Sequence, residues 1–511
     1  MEKSKKIGHI IIYATATSWI FQAVSAISGL IVLPLVVAYL GKTEYGIWTL
    51  VIQTINFLAM SDMGVSNALG RFVARSRGLN DKDAMSKLYS TTIAFLLLSG
   101  LFIALITILL TPWVGDILGI EKTYYKVTEI VFIITGLSLA LQSPFKLSVG
   151  VLTGHQLYGP HGIGKILGSV LNLLGVLILY SINMIELIPL AIMNAISILI
   201  SQIVLVVVSW RITGPWSLDP RKISLKLMID ILSLGGSTLV FTLSNLIYRS
   251  GLIIAVGRIL GVQAAGVYGV VLTLISHIYP LISSFSTPFT TLASEWQARD
   301  RLQDLRNISN IVMRSIFTLS SCVAAGLFIY GEPILRLLFS SGNWSPLDFH
   351  KAGNMLFIMG LGMTLGLPQI VSVKALQGIG KHWQVSYGSL AISILSLIIG
   401  ISIMNTDLDI YGAAWGWSLF WGLQGILFPA MTSRYLSLSL WEMLIKTYLP
   451  GIGVGLFVLS IAWFFDNWLV ASNLLNLLIG IGICSFVGGM AVLIISGYNS
   501  ILWNRIINWL S

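Results

Sequence analysis

The chain has 511 residues, of which 56% are hydrophobic and only 10% charged, and its mean hydropathy is +0.88. A soluble protein carries about 25% charge, and the apolar stretches lack the polar alternation of barrel strands, so a water-soluble domain and a transmembrane barrel are both excluded. The net charge of +10 is spread over short loops, with no compact basic domain, which excludes a nucleic-acid partner.

Fourteen apolar stretches are each long enough to cross a bilayer as a helix. They fall at 10–34, 46–70, 89–112, 127–147, 163–181, 186–209, 229–256, 264–288, 314–338, 351–373, 383–404, 410–432, 447–465 and 472–497. The first is too long for a signal peptide and is expected to be retained. The fold class is therefore an all-α polytopic membrane protein with about 14 transmembrane helices. With the N-terminus inside, 23 of the 30 Lys and Arg fall on the inner side, including Lys3, Arg71, Arg75, Arg77, Arg221, Lys222, Arg299 and Arg301. Six fall outside (Lys42, Lys122, Lys126, Arg258, Arg336 and Lys351), and Arg249 lies within a span. The positive-inside rule then places both termini in the cytoplasm. Cys322 and Cys484 both sit in apolar spans, where they read as structural thiols and make no metal site.

An internal repeat organises the chain. Leu40-Gly41, Gly46 and Trp48 recur 220 residues later as Leu260-Gly261, Gly266 and Tyr268. Pro144 precedes Gly154 by ten residues, as Pro368 precedes Gly378. Each copy holds six spans, an even number, so both copies have the same orientation and are related by an axis along the membrane normal. The expected division is an N-lobe at 1–222, a C-lobe at 223–440 and two further spans at 441–511.

Polar residues recur at the same offset, spaced three or four apart on one helical face. In span one these are Ser18, Gln22, Ser25 and Gly29, and in span seven Thr238, Thr242, Asn245 and Arg249. Span two carries Gln53, Asn56, Gly64, Asn67 and Arg71, and span eight Thr273, Ser276, Ser284, Thr287 and Thr291. Such faces turn from lipid towards other helices or water. Interhelical hydrogen bonding explains any single residue. Symmetric stripes on four helices point to a water-filled cavity between the halves, as an alternating-access carrier requires.

Arg249 is the cation at bilayer depth, and its repeat partner is Gly29. Either it snorkels to the headgroups, or it faces the cavity and pairs with a phosphate, which its guanidinium suits. Asp62, the carboxylate well inside a span, sits half a helical turn from the Gln53 stripe. It reads as a structural partner for a basic group or, alternatively, as an ion-coupling site. Lys146 and Lys374, one per half, stand near the inner ends of spans four and ten as candidates for headgroup capture. Gly29, Pro34, Gly235-Gly236 and Gly251 offer bending points.

The run Leu33-Pro34, Tyr39-Leu40-Gly41, Tyr45-Gly46 and Trp48, with Asp62, Gly64 and Ala68-Leu69-Gly70-Arg71, resembles the opening of polysaccharide-transporter flippases of the MOP exporter superfamily. Gly257, Leu260-Gly261, Gly266 and Tyr268 resemble their second-half motif, and Ala375-Leu376-Gln377-Gly378 with Gly380-Lys381 their inner loop after span ten. The resemblance implies two six-helix lobes around a cationic cavity lined by spans one, two, seven and eight. It implies transfer of an undecaprenyl-pyrophosphate-linked oligosaccharide to the outer leaflet of a bacterial inner membrane, for O-antigen, capsule or exopolysaccharide assembly. Polymerase or assembly proteins are the partners it suggests, beside membrane lipids. Many relatives carry a carboxylate near the middle of span seven, where this chain has Arg249-Ser250-Gly251. The sequence has no P-loop, and no cofactor is expected. The alternatives are a lipid II-type flippase, a multidrug exporter, a membrane glycosyltransferase or polymerase, and a non-transporting scaffold. An enzyme is disfavoured because the carboxylates Glu44, Asp116, Glu121, Asp348 and Asp409 are scattered.

Overall fold

Long apolar runs in a bilayer satisfy their backbone groups internally, and among the described residues they do so as helices. The computed structural model describes residues 2–155, 157–283, 286, 302–340, 343–436, 441, 444–469 and 474–495, among which there is no strand. Ten helical stretches among the described residues are long and apolar enough to cross a membrane, and the first, Ile20–Asp62, covers 20–34 of expected span one and 46–62 of expected span two. Helices at Tyr411–Leu436, Leu449–Leu469 and Leu474–Ile495 occupy the places of spans twelve to fourteen. The expected stripe residues Ser284, Thr287 and Thr291, with Arg299 and Arg301, lie outside the described residues, as do the side chains of Ser18, Asn67 and Cys484. Cys322 is buried.

Two compact units form, one from Ile20–Gly269 and one from Met1–Trp19 with Val270–Ser511. The first unit begins within α1 (Glu2–Leu58), which is interrupted once, at Gly41, whose φ of 66° and ψ of −176° suit glycine alone. The interruption is at the start of the repeat motif rather than at Gly29 or Pro34, through which the helix runs unbroken. Then follow α2 (Val65–Gly78), α3 (Lys82–Leu110), the short α4 (Val114–Leu118), α5 (Tyr125–Gln142), α6 (Lys146–Gly154), α7 (Tyr158–Ser181), α8 (Leu187–Thr213) and α9 (Leu225–Leu260). Gly261 repeats the Gly41 backbone, with φ 90° and ψ 167°, and opens α10 (Val262–Ser283). The second unit continues with α11 (Leu302–Leu338), α12 (Pro346–Gly366), α13 (Gln369–Gly378), α14 (His382–Met404), α15 (Tyr411–Leu436), α16 (Leu449–Leu469) and α17 (Leu474–Ile495).

Spans four and ten run further than 127–147 and 351–373. Each is interrupted at its proline, between α5 and α6 at Pro144 and between α12 and α13 at Pro368, and resumes as a short helix to Gly154 or Gly378. Proline interrupts the ladder but tolerates the first turn of a new helix. Packing follows the repeat as well. In the first unit α3 packs on α5, α5 on α8 and α7 on α8, and in the second α11 packs on α12, α12 on α15 and α14 on α15. Small residues allow these approaches. Ser201 Oγ on α8 donates to the Gly164 carbonyl on α7 at 2.6 Å, and Ser418 Oγ on α15 to the Ile358 carbonyl on α12 at 2.6 Å. A buried amide ladder ties three helices of the second unit, where Gln369 donates to Gln424 at 3.0 Å and Gln424 to Ser389 at 2.9 Å.

Candidate functional site

The site is built where span two stops being a regular α-helix. After Leu58 the chain tightens into a 3₁₀ turn over Ala59–Asp62. Met63 and Gly64 then take left-handed conformations, with φ of 50° and 72°, before α2 begins. Asp62 stabilises the break from both sides. Its Oδ1 accepts from the Gly64 amide at 3.2 Å, and its Oδ2 accepts from Lys146 Nζ at 3.0 Å. The Pro144 interruption puts Lys146 at the first turn of α6, facing Asp62. Gly235 on α9 lets the Met63 carbonyl approach closely, since a Cβ there would lie 2.7 Å from that oxygen. Gly235 thus serves close packing, and α9 runs through Gly235-Gly236 and Gly251 without a bend.

A cavity of about 440 Å³ opens beside this break. It is lined by Gln53, Asn56, Ala59, Met60, Asp62 and Gly64 from span two, and by Leu239, Thr242, Leu246 and Arg249 from α9. The α9 residues fall three and four apart, as one helical face must. Thr242 and Arg249 are exposed, Asn56 and Asp62 half-buried, and Gln53 buried. Gln53 Oε1 accepts from Ser250 Oγ at 2.7 Å and from Asn56 Nδ2 at 3.2 Å, which locks span two to α9 at the edge of the cavity. Asp62 is the carboxylate of the lining, and Lys146 offsets it. Counting Lys146, the charged groups at the cavity among the described residues are one carboxylate, Asp62, and two cations, Lys146 and Arg249. A chamber within the usual range of roughly 300–1,000 Å³, with amides, a hydroxyl and a guanidinium, suits a polar anionic group.

The expected site residues separate into three groups. Arg249, Thr242, Gln53, Asn56 and Asp62 come together on the cavity. Asn245 donates to the Phe241 carbonyl of its own helix at 2.8 Å, Gln22 and Ser25 are half-buried on α1, Arg71 is exposed on α2, and none of these lines the cavity. Thr273 and Ser276 belong to the other unit, where Ser276 donates to the Leu272 carbonyl at 2.6 Å, and Lys374 is half-buried on α13. Lys146 is engaged by Asp62. The repeat does not reproduce the charges, since the counterpart of Asp62 is the buried Ile282 and that of Arg249 is Gly29. Sequence reasoning missed Ser250 as the partner of Gln53. It also missed the apolar floor of Ala59, Met60, Leu239 and Leu246, which carries no polar signal.

A family model described as polysaccharide biosynthesis protein matches residues 35–347, more than half of the chain. The chain belongs to that family. A stretch of 89 residues is 39% identical to the probable lipid II flippase MurJ of Rhizobium meliloti (strain 1021), covering 17% of this chain and 16% of that relative. Among solved structures, lipid II flippase MurJ in an inward closed conformation matches at TM-score 0.71 and 15% identity, over 97% of this chain and all of the other. An inward-facing multidrug-resistance MATE transporter of the MOP superfamily matches at TM-score 0.70 and 15% identity, over 81% of this chain and 94% of that one. A MOP superfamily transporter from Pyrococcus furiosus Vc1 (DSM3638) matches at TM-score 0.62 and 14% identity, over 84% and 96%. The fold is that of MOP-superfamily transporters, and the chain is a multi-pass membrane protein.

Proposed function

We propose that this chain flips an undecaprenyl-pyrophosphate-linked oligosaccharide from the cytoplasmic to the outer leaflet by alternating access, serving O-antigen, capsule or exopolysaccharide assembly. The observation that carries this reading is Arg249 on the wall of a cavity whose other polar lining is two amides, a hydroxyl and an ion-paired carboxylate. The isoprenoid tail stays in lipid while the diphosphate and sugars pass inside. Asn56 and Thr242 replace water around the sugar hydroxyls, and Arg249 offsets the phosphate charge. Gln22, Ser25, Asn67, Arg71, Asn245, Thr273 and Ser276 would extend that polar path in other states of the cycle. The two lobes at 1–222 and 223–440 would rock about the cavity, with 441–511 beside them. Lys374, and Lys146 when released from Asp62, would attract the headgroup at the inner mouth. The protein acts as a carrier rather than a catalyst, in the inner membrane with both termini cytoplasmic, and hands its product to polymerase or assembly proteins.

The test is complementation of a strain lacking its O-antigen flippase. Wild type and Arg249→Lys restore surface polysaccharide fully and partly, and Arg249→Ala does not. Normal polysaccharide from the alanine variant removes the arginine from the mechanism. The stretch resembling probable MurJ supports a second reading, in which the cargo is a lipid-linked peptidoglycan precursor. Rescue of a strain depleted of its lipid II flippase, with no rescue of O-antigen, selects that cargo. The cationic lining speaks against extrusion of cationic drugs.

A further inference from the structure

A second pocket lies in the first unit, about 330 Å³ in volume, where three helix ends meet. The end of α2 contributes Phe72 and Ser76, the start of α3 Ala84, Lys87 and Leu88, and the start of α9 Ser224, Lys226, Leu227 and Asp230. Its back wall is fixed. The connection from α8 to α9 is stitched to α3 by Ser86 Oγ donating to the Ser217 carbonyl (2.9 Å), the Asp219 amide to Ser90 Oγ (2.8 Å) and the Ser224 amide to Thr91 Oγ1 (3.1 Å). Lys222 Nζ completes the seam on Asp83 at 2.6 Å.

The lining is amphiphilic. Phe72, Leu88 and Leu227 form an apolar floor that continues the cluster of Leu69, Val73 and Ile231. Lys87 and Lys226 stand exposed over it, and neither has an ion pair among the described residues. Asp230, one turn beyond Lys226, is the carboxylate of the lining, and Lys222 takes up Asp83. In the sequence flanking these helix ends, Arg75, Arg77, Lys82 and Arg221 outnumber Asp81 and Asp219, with Arg77 donating to the His155 carbonyl at 3.2 Å. The positive N-terminal ends of α3 and α9, two long helices, both contribute to the pocket. Each passes directly from charged residues into an apolar span, so the pocket lies at the water boundary of the membrane.

We propose that this pocket binds the phosphate of an anionic phospholipid, with Lys87 and Lys226 on the phosphate, Ser76 and Ser224 on the glycerol oxygens, and the acyl chains leaving over Phe72 and Leu227. The site is separate from the Arg249 cavity and stands whether or not the proposed cargo is correct. Its apolar floor is what distinguishes a lipid from a free phosphate.

The experiment titrates the purified full-length protein in neutral detergent with phosphatidylglycerol, phosphatidylcholine and inorganic phosphate, following the melting temperature. Phosphatidylglycerol stabilises and the other two do not. Lys87→Gln with Lys226→Gln weakens phosphatidylglycerol binding about thirtyfold, roughly fivefold per lysine. The double arginine variant binds like wild type, and Asp230→Asn binds about fivefold tighter. The last two keep the inference testable if the glutamine pair misfolds. Undiminished binding by the glutamine pair, an Asp230→Asn variant that binds no tighter, or equal stabilisation by phosphatidylcholine or inorganic phosphate overturns it.

Discussion

Gly46 and Gly266 stand back to back. A Cβ on Gly46 would strike the carbonyl oxygen of Val262, and one on Gly266 would strike that of Lys42. These residues are 220 apart in both pairs, so the contact exchanges with itself under the repeat, as a local twofold requires. Just before each glycine the chain turns through Gly41 or Gly261 in the same positive-φ extended conformation. The repeat is thus a packing device, two helix starts pressed backbone to backbone.

Gly46→Ala and Gly266→Ala should each lower stability by about 1–3 kcal/mol, the usual cost of overpacking. The double variant should cost less than the sum, because one displacement relieves both clashes. Thermal melting of the purified variants in detergent measures this. Additive costs would place the two clashes at independent sites.

The Asp62–Lys146 pair is about four-fifths buried on both sides, so breaking it from one side is costly. Asp62→Asn or Lys146→Gln alone should destabilise by about 1–3 kcal/mol. The double variant should lose less than the two singles together, and a double-mutant cycle on melting reads the coupling. Zero coupling would mean that the pair does not hold the break in span two.

Two glycines at that break act for different reasons. Gly64→Ala meets only ordinary contacts, the nearest at 3.5 Å, but must hold φ near 72°, at a cost of about 1–2 kcal/mol. Gly235→Ala keeps normal helix dihedrals but pushes on the Met63 carbonyl. Asn at 64, which tolerates the left-handed region, should recover most of the Gly64→Ala loss, whereas no larger residue at 235 should be tolerated. Melting temperatures of the Ala and Asn variants at both positions decide this.

Gln53 is a tether more than a ligand, because its acceptor is already used by Ser250 across the helix pair. Gln53→Leu should cost about 0.6–2 kcal/mol in stability. Asn56→Ala should leave melting near wild type and lower transport. A Gln53→Leu protein with normal melting and lost transport would reverse these roles.

The fold was legible because helices in lipid announce themselves by length, and the repeat by glycines that only a special backbone or a close contact demands. Gly41 and Gly46 carried both signals. The polar faces of span two and span seven were legible as far as the helices stay regular, which is why Gln53, Asn56, Thr242 and Arg249 meet as their spacing implies. Asp62 shows where that reasoning stops. Nine residues beyond Gln53, α-helical geometry turns it to the opposite side. The 3₁₀ turn winds about 20° further per residue, and the left-handed pair then redirects the chain, bringing Asp62 onto the cavity. Its partner Lys146 lies 84 residues away beyond a proline break, a pairing that no local periodicity encodes. Gln22, Ser25 and Asn245 repeat faithfully with the offset, yet periodicity alone does not separate a cavity face from a packing face.

The most direct test of a wet, positively biased chamber is the reactivity of Thr242→Cys in a chain whose Cys322 and Cys484 are replaced by alanine. Membrane-impermeant anionic and cationic methanethiosulfonates are applied to intact membranes, with and without Arg249→Gln. Position 242 should be labelled, the anionic reagent should react several-fold faster than the cationic one, and Arg249→Gln should abolish this preference. An unreactive thiol, or one that favours the cationic reagent, would contradict such a chamber.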